Sequence, residues 1–173
     1  MSLFLMVVSL LALASVVMAQ GDPEQRLKEL KIDLPTPSKP IANYVKWVRT
    51  GNLVYLSGHG PTRADGTSVT GKLGRDVTIE QGQDAARLTG IGLIATLKDA
   101  TGGDLRKVKR VVKVLGLVNS TDDFKDQPKV MNGFSDLMVA VFGDAGRHAR
   151  SAVGTNALPG GIAVEIEMIV ELE

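Results

Sequence analysis

Gly146-Arg147-His148-Ala149-Arg150-Ser151-Ala152-Val153-Gly154, then Ala157-Leu158-Pro159-Gly160-Gly161, then Val164-Glu165-Ile166-Glu167 is the stretch that decides the fold. It reads as two strands joined by a Leu-Pro-Gly-Gly turn. The second strand alternates apolar and acidic residues. A strand's side-chain period of two therefore puts Glu165 and Glu167 on one face and Val164, Ile166 and Met168 on the other. The first strand carries Arg150 near its start. A guanidinium is a planar fork that grips a carboxylate through two parallel hydrogen bonds, and strands hold such groups more rigidly than loops. A carboxylate on a neighbouring strand can hold that fork or position a water. Each residue also has a plainer reading: Arg150, with Arg147 close by, as a surface or interface ion pair, and the two glutamates as a solvated face.

Upstream, Gly143 ends a helix expected from about Phe124 to Phe142, with Val130, Phe134, Leu137, Met138 and Val141 as its apolar face. Pro128 is tolerated only in a first helical turn, so the regular helix is expected from near Gln127. Ser120 or Thr121 is the expected cap. Val108–Val118 is the longest β-rich run and predicts a central strand. Thr78-Ile79-Glu80-Gln81 is a capping box opening a helix to about Asp99. Its expected buried stripe is Ala85, Leu88, Ile91, Ile94 and Ala95, with Gly82, Gly90 and Gly92 allowing close approach to a sheet. Val45–Arg49 and Leu53–Ser57 flank Thr50-Gly51-Asn52 and predict a hairpin. The order β-β-(β)-α-β-α-β-β predicts an α+β domain, a mixed sheet with two helices on one face.

The chain has 173 residues, 44% of them hydrophobic, and a formal net charge of +1. One domain suffices for that length. The charge balance argues against a nucleic-acid-binding stripe and against a polybasic membrane surface. Cysteine is absent and there are two histidines, His59 and His148. That excludes disulfides and a thiolate nucleophile, and argues against a zinc site. Neither a GxxxxGKS/T phosphate loop nor a GxSxG elbow occurs.

Residues 1–19 form an uncharged apolar run ending Val17-Met18-Ala19, the pattern of a secretory signal cleaved near Ala19–Gln20. The alternative is an uncleaved anchor, for which the run is slightly short of a ~30 Å hydrocarbon core. A secreted or periplasmic location is expected, membrane-attached only if the leader stays. Residues 20–40 read as an extension: a short helix-compatible segment, Pro23–Leu30, then a connector with Pro35, Pro37 and Pro40. Residues 41–173 make the domain.

Other candidates come from chemistry and position. Tyr44 precedes the first strand and can pack or offer a hydroxyl. Ser57 and Gly58 close the second strand, where a glycine lets a ligand approach backbone N–H groups, though turn formation explains them equally well. Asn132 lies in the second helix, able to hydrogen-bond or simply to face solvent. His59 can titrate near neutral pH, with nothing local to assign it a role. Trp47 is most simply an anchor for a core or interface.

The ordered set resembles the RidA/YjgF family of reactive-intermediate (enamine/imine) deaminases, in a divergent YjgF-like branch. It consists of Arg150-Ser151-x-Val153, Leu158-Pro159 and Val164-Glu165-Ile166-Glu167, with Thr50–Gly58, Asp123-Phe124, Asn132 and Phe142 upstream. The resemblance spans about Ile41 to Glu173. It implies a chorismate-mutase-like fold, a homotrimer, a cleft at each subunit interface, and no metal or organic cofactor. There the arginine binds the carboxylate of a 2-imino or 2-enamino acid, and water attacks the imine carbon, releasing ammonia and a 2-oxo acid. By motif, Arg150 matches the carboxylate-binding arginine and Glu165 the water-positioning acid. Tyr44, Ser57, Gly58 and Asn132 match further cleft positions. Two departures stand out: Ala152 where many members carry cysteine, and His59 where glutamine is common. Two alternatives share the fold: a non-catalytic binder of small carboxylates, which needs Arg150 but not Glu165, and an endoribonuclease, against which the near-neutral charge speaks.

Overall fold

A computed structural model describes residues 21–37, 40 and 42–173. The leader reading at residues 1–19 and part of the proline connector lie outside them. The elements in order are α1 (Pro23–Glu29), β1 (Trp47–Thr50), β2 (Leu53–His59), α2 (Ile79–Ala100), β3 (Val108–Asn119), α3 (Gln127–Phe142), β4 (Ala149–Thr155) and β5 (Val164–Leu172). The strands form one mixed sheet in the order β1-β2-β5-β3-β4. β3 pairs with β4 in parallel and with β5 antiparallel.

The sheet's pleat separates two faces. Val54, Leu56, Val114, Val118, Val164, Ile166, Met168 and Val170 are buried on the face that carries α2 and α3. No helix among the described residues covers the opposite face, and on it lie Tyr55, which is 43% exposed, and Glu167. α1 belongs to the packed unit: Leu27 joins the core, and Lys98 of α2 reaches Glu24 at 2.9 Å.

Both long helices start as their sequences direct. Thr78 Oγ1 accepts from the Gln81 amide at 3.2 Å, and the Gln81 side chain accepts from the Thr78 amide at 2.9 Å, the reciprocal capping box. α3 starts at Gln127 with Pro128 in its first turn, but neither expected cap is used. Asp126 holds the cap position without a side-chain hydrogen bond, because Ser120 and Thr121 lie where β3 ends, too far upstream. Val130, Phe134, Leu137, Met138 and Val141 are buried as the periodicity requires.

The buried stripe of α2 differs from the expected one. Ala85, Ile94 and Ala95 are buried, but the remaining buried positions are Gly82, Ala86, Thr89, Gly90, Leu93, Thr96 and Leu97. Leu88 and Ile91 instead wall a cavity of about 300 Å³ closed by Pro35 and Pro37 of the connector and by His59. Small residues shifted the true face. Gly82 and Gly90 sit where Val130, and Phe134 with Leu137, press in from α3, so the close approach they permit is to the second helix.

β4 and β5 are not adjacent. β3 lies between them, and the connector from Asn156 to Ala163 passes over its end. Asn119 fastens that crossing: its amide donates to the Ala163 carbonyl at 2.9 Å and its Nδ2 to the Ile162 carbonyl at 3.1 Å.

Candidate functional site

Arg150 stands near the start of β4, opposite Val114 in the parallel register. Val114 is fully buried under the helices, so Arg150 rises on the same side and meets the flank of α3. Its Nη1 donates to Asn132 Oδ1 at 3.1 Å and to Ser135 Oγ at 2.9 Å, and its Nη2 to the Pro128 carbonyl at 3.2 Å. All three acceptors are neutral, and no carboxylate pairs with Arg150 among the described residues. The fork is thus oriented without losing its charge to an internal partner, which suits an anion arriving from outside. The surface ion-pair reading does not describe Arg150 within the single chain.

Glu165 stands at the start of β5, opposite Leu117 and between buried Val164 and Ile166. It therefore points to the uncovered face. Its carboxylate lies against the backbone of Gly58: a Cβ built there would sit 2.2 Å from Oε1. A side chain at this position, beside the register shift between Leu56 and His59, would therefore turn the Glu165 carboxylate out of its place. The neighbouring Ser57 is engaged with the segment leading into β1, its hydroxyl donating to the Val45 carbonyl at 2.7 Å and its amide to the Lys46 carbonyl at 2.9 Å. Tyr44, just upstream, is 46% exposed, with the Lys46 ammonium 5.8 Å from its ring centroid.

The sequence-predicted residues therefore fall into two groups. Arg150 and Asn132 form one, on the helix-bearing side at the β4 edge. Ser57, Gly58 and Glu165, with Tyr44 close along the chain, form the other, on the opposite side of the sheet. A single chain does not bring Arg150 and Glu165 together. Two contributors to the first group escape a reading by motif: Ser135, and His148, whose Nε2 lies 3.1 Å from Ser135 Oγ. One signal was available, since Pro128, Asn132 and Ser135 recur at i, i+4 and i+7 and so share one helix stripe. Among the described residues, no group of three or more His, Asp or Glu could hold a metal ion.

His59 is a packed histidine. Its Nδ1 lies 2.7 Å from Ser57 O and its Nε2 2.8 Å from Thr96 Oγ1. Burial pushes its pKa below the ordinary 6.5, the Ser57 carbonyl opposes this, and Lys46 adds to it. The unfolded chain then binds the proton more readily than the folded one. His59's contribution to stability is complete above pH 6.5 and is lost as pH falls through the window beneath it. The thermal midpoint should fall between about pH 7 and about pH 5, and His59→Gln should lessen that fall. Equal pH dependence in both proteins would remove His59 from the account.

This sheet order, with two helices on one face, has known relatives. A family model described as "YjgF/chorismate_mutase-like, putative endoribonuclease" matches residues 24–172. The chain belongs to this family. Protein TCP17 of Trypanosoma cruzi is 44% identical over 157 residues, covering 90% of this chain and 98% of that protein. The structure of Atu1372, a protein of unknown function from Agrobacterium tumefaciens, has a TM-score of 0.82 at 45% identity, covering 87% of this chain and 92% of that one. RidA from an Antarctic Psychrobacter has a TM-score of 0.54 at 28% identity, covering 79% of this chain and 94% of that one. The YjgF match takes in α1 from its second residue, in keeping with the burial of Leu27.

Proposed function

We propose that this YjgF-family chain hydrolyses small 2-imino or 2-enamino acids to 2-oxo acids and ammonia, in a cleft completed by a second copy of the chain. The observation that carries the reading is the Arg150 fork, oriented by three neutral acceptors and paired with no carboxylate among the described residues. It would take the substrate carboxylate. Glu165, braced on Gly58, would hold the attacking water from the other side. Imines hydrolyse readily, so orienting substrate and water is enough chemistry for the protein to supply.

Because the two groups occupy opposite sides of one sheet, a cleft using both needs two copies, and a ring of three would give each copy one of each half. The uncovered face with exposed Tyr55 and Val153 supplies apolar surface for such contact. The full chain should then sediment at about three times its 18.4 kDa.

The test generates an imino acid with an amino-acid oxidase in the presence of semicarbazide. The wild type should compete with the trap and lower the semicarbazone signal. Glu165→Gln should keep carboxylate binding but lower kcat by about a hundredfold, the scale of losing a positioned proton acceptor. Failure of the wild type to compete across several imino acids would sink the deaminase reading.

A further inference from the structure

Behind Arg150 runs a chain of polar contacts that imine hydrolysis itself does not use. His148 Nδ1 lies 2.7 Å from the Gly146 carbonyl, His148 Nε2 lies 3.1 Å from Ser135 Oγ, and Arg150 Nη1 donates to Ser135 Oγ at 2.9 Å. The proton arrangement is forced. A carbonyl only accepts, so Nδ1 carries hydrogen. A guanidinium only donates, so Oγ accepts from Nη1. A neutral imidazole then has a bare Nε2, which takes the Ser135 hydroxyl hydrogen. Both side chains are partly withdrawn from water, and the Phe134 ring packs against the imidazole in a T-shaped arrangement with centroids 5.8 Å apart.

We propose that Ser135 and His148 are positioning residues for the Arg150 clamp, and that a carboxylate bound at Arg150 draws a proton onto His148. The inference rests on Arg150 being a carboxylate clamp. From α3, His148 meets Ser135 and Phe134, both uncharged; from β4, which begins just after it, it meets the Arg150 cation. In the preceding turn, Asp144 and Arg147 pair with each other at 3.2 Å, exposed. Burial first, and then Arg150, hold the imidazole's proton affinity below its ordinary value, against the pull of the Gly146 carbonyl. A carboxylate on the fork cancels the guanidinium charge and relieves that repulsion. By linkage, carboxylate affinity must rise as pH falls through the His148 range. The contact to Arg150 survives protonation. Nε2 gains a hydrogen from solvent and donates it to Oγ, the Ser135 hydroxyl hydrogen turns away, and the two lone pairs of Oγ accept from Nε2 and Nη1 together.

The experiment follows the His148 ring by NMR of the full chain across pH, with His59→Gln assigning the two histidines and 2-oxobutanoate as the probe carboxylate. Arg150→Gln should raise the His148 titration midpoint by about half a pH unit or more, the effect of removing a unit charge one hydroxyl away. Arg150→Lys, which keeps the charge, should not. Saturating 2-oxobutanoate should raise the midpoint in the wild type and leave Arg150→Gln unmoved. Ser135→Ala should weaken 2-oxobutanoate binding by about threefold to tenfold, and Ser135→Thr, which restores the hydroxyl, should recover it. A His148 midpoint indifferent to Arg150→Gln overturns the proposal. A midpoint that moves in Arg150→Gln but not with 2-oxobutanoate in the wild type overturns the carboxylate linkage. If the probe moves His148 and imine hydrolysis is nonetheless absent, the deaminase reading falls while the linkage stands.

Discussion

Gly133→Ala should melt well below the wild type, by about 4–8 °C or more, although alanine is the better helix former. Gly133 lies in α3 where it crosses α2. A Cβ built there would stand 2.1 Å from the Gln83 carbonyl oxygen, 2.7 Å from its carbonyl carbon and 2.9 Å from its Cα. These are backbone atoms of a regular helix, so no side-chain rotation clears them and the two helices must part. Overpacking of this kind costs about 3 kcal/mol, and the gain in helix propensity returns about 1. For a chain of this length a net loss of about 2 kcal/mol lowers the midpoint by about 4–8 °C. Gly92→Ala is the control. It lies in α2, and the nearest atom to its added Cβ is His59 Cδ2 at 3.8 Å, ordinary contact, so that variant should melt at or slightly above the wild type. A Gly133→Ala protein with an unchanged midpoint would mean that α2 and α3 do not approach as closely as described.

The contrast between these glycines shows how much the sequence could say. The hydrophobic periodicity of α3 was legible because its core face is made of large residues, Val130, Phe134, Leu137 and Met138. The face of α2 was partly hidden because its contact surface is built from Ala86, Thr89 and Gly90, residues without a strong apolar signature. Two of the three large apolar residues of the expected stripe, Leu88 and Ile91, went to a cavity beside the proline connector, and Ile94 alone stayed in the core. Periodicity finds volume, and helices that meet through small residues bury little of it at the point of closest approach.

The candidate site was legible as residues but not as geometry. Alternation along β5 gives the face of Glu165 relative to Val164 and Ile166, and that reading holds. Reading the closing strands as neighbours joined by a turn fails, because a parallel partner for β4 demands a crossing that no local signal in Leu158-Pro159-Gly160-Gly161 distinguishes from a hairpin. The register through β3 then sets the faces: Arg150 stands opposite Val114 and Glu165 opposite Leu117, three residues apart on β3 and so on opposite sides of the sheet. Ser135 and His148 went unread for a related reason. Each is an ordinary residue in its own element, and their meeting with Arg150 exists only once α3 lies along β4.

Arg150→Ala should lower kcat/KM for imino-acid hydrolysis by about a thousandfold while leaving the melting temperature close to that of the wild type. Losing a charged, hydrogen-bonded partner for a carboxylate costs about 4 kcal/mol, which is close to a thousandfold. Stability should change little, since the guanidinium makes contacts at the edge of the sheet and its three acceptors can turn to water. Arg150→Lys should recover only part of the loss, because an ammonium cannot form the two parallel bonds of the fork. The placement of Arg150 and Glu165 on opposite sides of one sheet also makes a stronger demand. If the cleft is shared between copies, Arg150→Ala and Glu165→Gln injure different halves of it. Unfolding the two variants together in equal amounts and refolding them should then restore activity that neither has alone. In a ring of three assembled at random, an interface is intact when its arginine half comes from one variant and its glutamate half from the other, so about one quarter of the wild-type activity should return. Variants that form mixed assemblies yet stay inactive would show that Arg150 and Glu165 do not serve one cleft, and Glu165 would then need a different role on the uncovered face.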